Sequence, residues 1–276
     1  MIKFSATQHQ YTSIVPDDIN WLSVTAVVSS LKQPFDKVAV ATKCSTRKPG
    51  RYPNKWYGVP PEEILAIWDR EGKRSIDTGH WYHDKVEQQI LSQPSPDGLP
   101  VYRSQITGDT KIAPEQRLTD GIYPEHLVYL PSAGICGQSD IVKVQNNLVH
   151  ITDHKTSKEI KTKGFTNWEG ITTMMLKPVQ HLQDCEFNHY TIQLSLYMYC
   201  ILRHNPLLSP GPMIINHVKL KESGKDKWGY PIHELVNNEP IVESITPITI
   251  PYLHNEAQAV INWIKESKNR QLITKH

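Results

Sequence analysis

The sequence predicts an α/β fold, and three observations carry that expectation. Apolar residues along the chain switch between helical and strand periods. The patterned segments run in the order helix, three strands, helix, strand, then extensions, which suits helices layered on a sheet. Two alternating runs, Gly137 to Gln145 and Leu148 to Lys155, flank Asn146-Asn147, a two-residue turn of the kind that tolerates positive φ. A central mixed sheet flanked by helices, with an N-terminal helical extension, is therefore expected.

Each element has its own signal. Ser23 to Leu31 reads as a short helix capped by Ser23 or Thr25. Lys43 to Tyr57 follows as a basic loop containing aromatics. Pro60-Pro61-Glu62-Glu63 starts a helix with proline and acids in its first turn, and Ile64, Leu65, Ile67 and Trp68 form its apolar face. Asp77 or Thr78 is placed to cap a second helix running to about Leu91. His126 to Leu130 reads as the first core strand, and the Asn146-Asn147 hairpin supplies the next two. Asn188 to Arg203 is a long helix with Leu194, Leu196 and Ile201 in its buried stripe. Met213 to Leu220 and Ile241 to Ile250 read as strands, and Pro251 to Gln271 as a closing helix turning Ala257, Val260, Ile261 and Ile264 inward. Proline-rich stretches at 49–61, 94–100, 124–131 and 206–212 mark connections. The expected division is an extension over residues 1–74, with its basic loop and helix packed on a core over 75–276.

Composition excludes several classes. Thirty Lys plus Arg against 28 Asp plus Glu rules out a histone-like polycation, so attraction to nucleic acid must come from local patches. The longest apolar run, Leu196 to Leu202, falls far short of the ~20 residues of a membrane span. No secretory signal is visible in Met1 to Val15. Cysteines at 44, 136, 185 and 200 show neither C-x-x-C spacing nor a tight cluster, which speaks against a zinc ribbon or a disulfide scaffold. A reducing, cytoplasm-like compartment is the expectation.

The hairpin sets the chemistry. With a two-residue turn, facing positions sum to 293, so Val144 faces Val149, Val142 faces Ile151 and Asp140 faces Asp153. Side chains alternate along a strand, and both acids then share a face with Lys155 at the end of an apolar strip. Two such carboxylates repel and both ionise at neutral pH only beside a cation. A hard divalent metal is the natural occupant, with the backbone carbonyl of His154 as a further donor. The alternative is an ordinary surface salt bridge at a sheet end.

Two helices add polar pairs at i, i+4. His83 and Glu87 share one helical face, where His83 can supply an imidazole and Glu87 can orient it or coordinate through water. His80 and Asp84 form a competing pair. Gln193 and Tyr197 interrupt the apolar stripe of the long helix and need buried partners. They either face the hairpin and hold the Lys155 side of a site, or bond internally between helix and sheet. Lys155, Lys158, Lys161 and Lys163 leave the strand together. Lys43, Arg47, Lys48, Arg51 and Lys55 precede Trp56 and Tyr57, which combines backbone attraction with base stacking. Lys219, Lys221, Lys225 and Lys227 before Trp228 read as a hairpin tip.

In order, G-x-x-x-H-x-x-x-E (Gly79 to Glu87), G-x-x-D (Gly137 to Asp140), D-x-K-T (Asp153 to Thr156) and Q-x-x-x-Y (Gln193 to Tyr197) resemble the RecB-like branch of the PD-(D/E)XK nuclease superfamily. The motifs cover 79–197, and the restriction-endonuclease-like α-β-β-β-α-β core that the family implies extends to about 220. Thr25, the Pro34-Phe35-Asp36 turn and the helix from Pro61 to Trp68 are similar to phage and mitochondrial-type exonucleases of this branch, and Glu125 fits a recurrent acid in them.

The resemblance implies roles. Asp140 and Asp153 would hold one or two Mg2+ or Mn2+ ions, with His83 as a further ligand. Lys155 would position the attacking water and help deprotonate it. Gln193 and Tyr197 would steady Lys155 and the DNA backbone, with Thr156 assisting. Several relatives carry four cysteines around an iron–sulfur cluster. The cysteines here do not match that pattern, so no cluster is expected. The activity implied is metal-dependent DNA exonuclease hydrolysis in replication, recombination or end processing, cytoplasmic (host cytoplasm if phage-encoded), on single- or double-stranded ends, with a recombination or replication protein as a further partner. A structure-specific or nicking endonuclease, a catalytically silent DNA-binding protein, and an enzyme acting on RNA are the alternatives. Polarity, strand preference and oligomeric state are not set by these residues.

Overall fold

The Asn146-Asn147 turn forms as the sequence predicts, both residues holding positive φ (54° and 62°). It pairs Gln145 with Leu148, Val144 with Val149 and Val142 with Ile151, the register derived above. In this computed structural model, residues 2–5, 7–8, 10–14, 19–51, 53–112, 116–266, 270–271 and 273–274 are described.

The chain begins with strands β1 (Ile2–Ser5), β2 (Gln10–Ser13) and β3 (Leu22–Ser23). Helices α1 (Val24–Ser30), α2 (Lys37–Thr46) and α3 (Pro61–Ser92) follow, then strands β4 (Gln105–Thr107) and β5 (Thr110–Ile112). The core continues through β6 (Gly121–Leu130), β7 (Ile135–Gln145), β8 (Leu148–Lys155), α4 (Glu186–His204) and β9 (Ser209–Leu220). Short strands β10 (Glu222–Lys225), β11 (Pro231–His233), β12 (Leu235–Val236) and β13 (Glu239–Pro240) precede β14 (Val242–Ile250) and α5 (His254–Lys265). Setting aside β4 and β5, which belong to a separate small sheet, the order from α3 to β9 is the predicted helix, three strands, helix, strand.

The main sheet runs β14-β9-β8-β7, with β6 antiparallel to β7 and two residues of β3 parallel to it. The β8–β9 pair is parallel and the β7–β8 and β9–β14 pairs are antiparallel, so the sheet is mixed. Helices α1, α4 and α5 cover one face. Leu194, Leu196, Ile201, Ala257, Val260, Ile261 and Ile264 all join Val142, Val144, Val149 and Ile151 there. Each such side chain contributes about 1.5–3 kcal/mol of burial. Tyr82 of α3 packs on Val218 and Leu220, which alternate away from Met213 and Ile215 of the α4-side core, so α3 lies on the opposite face. A small sheet, β2-β1-β5-β4, brings Ile2, Phe4 and Tyr11 against Leu127 and Tyr129.

Several elements differ from expectation. Ser23 caps α1 as predicted, accepting a hydrogen bond from the Ala26 amide. Lys43, however, belongs to helix α2, capped by Asp36, and not to a loop. Asp77 and Thr78 cap nothing, because α3 is one continuous helix and the Thr78 hydroxyl bonds back to the Arg74 carbonyl at 2.8 Å. The apolar face of Ile64 and Ile67 packs on Ala41 and Trp56, not on the sheet. The boundary at residue 74 falls inside α3, while β3 and α1 are part of the main core. The closing helix ends at Lys265. The four cysteines are free thiols, and among the described residues no helix is long and apolar enough to cross a membrane.

Candidate metal centre

The site forms where the sheet's ladders open. Pairing of β6 with β7 passes from Pro124–Ile141 to His126–Ser139, skipping Glu125 and Asp140. Pairing of β7 with β8 ends at Ile141–Thr152, one step before Asp140 and Asp153 would meet. Glu125 occupies the left-handed region at φ 47°, which a non-glycine residue adopts at a cost on the order of 1 kcal/mol. The inward alternation of β6 changes phase there: Tyr123 joins the α4-side core below Glu125, and Val128 and Leu130 join it above. On the other side the Asp140 carboxylate replaces the missing ladder bond, accepting from the His154 amide at 2.7 Å.

His83 reaches this gap from α3. Its Nδ1 lies 3.4 Å from Asp140 Oδ1 and 3.5 Å from Glu125 Oε1, and its Nε2 lies 3.2 Å from the His154 carbonyl oxygen. One donor atom each from His83, Glu125 and Asp140 falls within 4.8 Å of the others. The second Glu125 oxygen accepts from the Gln138 amide, which fixes the carboxylate's orientation.

The electrostatics follow from crowding. Burial and the Asp153 charge push Asp140 up to about 6. Burial opposes charge on His83, but hydrogen bonds to Asp140 and Glu125 outweigh it and raise the imidazole to about 11. Burial likewise works against the Glu125 carboxylate, and His83 more than compensates, leaving it below its ordinary value. A shared proton on His83 thus supplies the positive charge that the acids demand. The donor set of two carboxylates and an imidazole fits a divalent cation, which would take over that charge and displace the proton.

Of the two acids expected to share an ion, Asp140 lies in this group, together with Glu125, the acid that the resemblance also pointed to. Asp153 Oδ2 is 2.6 Å from Lys155 Nζ, although Asp153 stays near enough to act on Asp140. Burial disfavours charge on Lys155, but Asp153 and Asp140 hold it well above the usual lysine range. The His154 carbonyl oxygen, expected as a further donor, meets His83 Nε2, on the far side of the imidazole from the Nδ1 that faces the acids. The His154 ring lies between those of Tyr82 and His83, and burial, outweighing the Asp153 and Glu125 charges, lowers it to about 4.

The supporting residues divide. Gln193 donates to the Tyr197 hydroxyl at 3.2 Å, and Tyr197 lies against Gly137 so closely that a Cβ there would come within 2.6 Å of its ring. Lys155 instead rides over the ring of Tyr190, at 4.9 Å. Tyr190 was not singled out from the sequence; its i, i+3, i+7 spacing with Gln193 and Tyr197 was the available signal. Glu87 does not orient His83: it pairs with Lys111 at 3.2 Å, and Lys111 in turn stabilises the Glu125 charge. Gly79 passes Thr156 closely, a Cβ there lying 3.8 Å from Oγ1. Beyond Thr156 a cleft of about 710 Å³ runs between α3 and the β9–β11 arm, and it includes Lys158.

The loop residues expected to meet nucleic acid are partly engaged elsewhere. Lys158, Lys161 and Lys163 are exposed, as are Arg47, Lys48, Arg51 and Tyr57. Trp56 is buried, stacked on Trp228 at 5.0 Å, so it cannot stack on a base. Lys55 sits over the rings of Trp56 and Tyr230, each at 4.7 Å, and donates to the Trp228 carbonyl. Trp228 does lie at a hairpin tip, where Asp226 accepts from the amides of Trp228 and Tyr230.

Compared with known proteins, the chain matches no family model and no curated relative.

Proposed function

We propose that the chain is a metal-dependent deoxyribonuclease that hydrolyses DNA from its ends, of the kind its motifs resemble. The observation that carries this reading is the grouping of His83, Glu125 and Asp140 within 4.8 Å, beside the Asp153–Lys155 pair. Mg2+ or Mn2+ bound there would supply Lewis acidity and neutralise charge on the scissile phosphate. His83, Glu125 and Asp140 would hold it, while the Gln138 side-chain amide and the His154 backbone amide keep the two carboxylates aimed. Lys155, kept protonated by the Asp153 carboxylate, would face the scissile phosphate as a cation. The Tyr190 ring packs beneath the Lys155 amine, 4.9 Å from it.

The test is digestion of end-labelled single- and double-stranded DNA with Mg2+, Mn2+ or EDTA, alongside a covalently closed circle. Metal-dependent release of nucleotides from ends with the circle intact is the expected result. Cutting of the circle would make the chain an endonuclease, and inertness toward every substrate with either metal would overturn the reading.

A further inference from the structure

Between Lys163 and Asp184 the chain leaves the sheet and returns to α4, and the tip of this excursion presents apolar side chains to solvent. Phe165, Trp168 and Ile171 are 74%, 91% and 63% exposed. The tip is nevertheless fixed. The Thr173 amide donates to the Phe165 carbonyl at 2.8 Å and the Asn167 amide to the Ile171 carbonyl at 2.9 Å. The Asn167 side-chain oxygen accepts from the amides of Glu169 and Ile171, and the Thr166 and Thr172 hydroxyls meet at 2.9 Å. At the base a Cβ on Gly164 would fall 2.5 Å from the Thr173 carbonyl oxygen, so the two arms approach as closely as backbone allows. An indole held out on so braced a hairpin is a preformed contact, since little ordering remains to be done on binding.

The hairpin also lies at the site's end of the sheet. It follows Lys155 through the exposed Lys158, Lys161 and Lys163, of which Lys161 pairs with the exposed Glu159 at 3.5 Å, and the Lys161 carbonyl accepts from the Phe187 amide at 3.0 Å, one turn before Tyr190. The acid at the tip, Glu169, is within 3.4 Å of the Asn167 side-chain amide. Cationic side chains along the approach and a bare aromatic at its end match a polyphosphate strand with unstacked bases. We infer that the 164–173 hairpin is a stacking platform for single-stranded nucleic acid, with Trp168 packing on a base while the lysines follow the backbone. The inference deepens the nuclease reading and rests on it for the direction from which the strand arrives.

The experiment measures fluorescence anisotropy of labelled dT12 and of a blunt duplex in EDTA, with the parent chain, Trp168→Ala and Trp168→Phe. Trp168→Ala should weaken dT12 binding about tenfold, the scale of one lost base stack. Trp168→Phe should stay near the parent, and the duplex should change less than twofold. Equal dT12 affinities in all three chains would overturn the platform, as would an equal loss on the duplex. Cosedimentation with anionic phosphatidylglycerol vesicles that disappears in Trp168→Ala, with dT12 unchanged, would also overturn it and assign the tip to a lipid surface. The nuclease reading fails separately. If the parent chain releases no nucleotide with Mg2+ or Mn2+ but the dT12 difference persists, the platform stands and the nuclease falls. Cleavage with unchanged dT12 binding gives the reverse.

Discussion

Asp140 accepts a hydrogen bond from the His154 amide while its other oxygen faces His83, so one carboxylate serves both the backbone and the site. The two duties separate by substitution. Asp140→Asn keeps an acceptor for the amide but loses the charge; Asp140→Ala loses both. Mn2+ titration calorimetry should show both variants binding at least roughly tenfold more weakly. Urea melts should show only Asp140→Ala destabilised, by about 1–3 kcal/mol, for the buried amide left unpaired.

Glu125 at φ 47° yields a second separation. Glycine adopts that conformation freely and alanine does not. Glu125→Gly should therefore be more stable than Glu125→Ala by about 1 kcal/mol in urea, reversing the usual order of these residues in a strand. Both should lose metal affinity alike.

Gly137 has no room for a methyl group beside Tyr197. Gly137→Ala should cost about 1–3 kcal/mol by overpacking. Combined with Tyr197→Leu it should cost less than the sum of the two single changes, and a double-mutant cycle in urea measures that coupling.

His126 is buried beside Glu125, its Nε2 lacks a partner among the described residues, and burial lowers it to about 4. The unfolded chain takes up this proton near pH 6.5 and the folded chain only near 4, so the unfolded state binds more protons in between. Stability from this residue is complete above about pH 6.5 and lost as pH falls toward 4, by up to about 3 kcal/mol. Asp140, with a raised value, works in the opposite sense between about 4 and 6. The difference between the parent and His126→Phe isolates the histidine. Urea melts from pH 7 to 4 in EDTA should show the parent losing more stability than the variant.

Lys155 is paired with Asp153 at 2.6 Å. Lys155→Met should fold normally by circular dichroism and lose DNA hydrolysis by roughly 10²–10⁴-fold. Asp153→Ala should lose it too, and undiminished digestion by Asp153→Ala would remove that residue from the chemistry.

The hairpin was legible because turn chemistry and period-two burial agree over its length, which fixed its register before any coordinates. The geometry that brings Glu125 to His83 and Asp140 was not. It depends on a left-handed residue and an opened ladder, and neither leaves a mark in apolar spacing. Helix α2 was hidden because only Ala41 of it is buried. The continuity of α3 was hidden because Asp77 and Thr78 favour caps over helix interiors, a local preference that tertiary packing such as Tyr82 on β9 overrides. The fate of Trp56 turns on a partner far away in sequence, Trp228, which no local pattern announces.

That indole pair has a practical corollary for anyone trimming the protein. Trp228 and Tyr230, from the late hairpin, complete an aromatic cluster with Trp56 and Trp68 from the early arm. A polypeptide starting at residue 75 would strip the cover from those rings and sever α3 midway. Such a fragment should precipitate or self-associate, and its silence in an assay would report poor solution behaviour instead of missing chemistry.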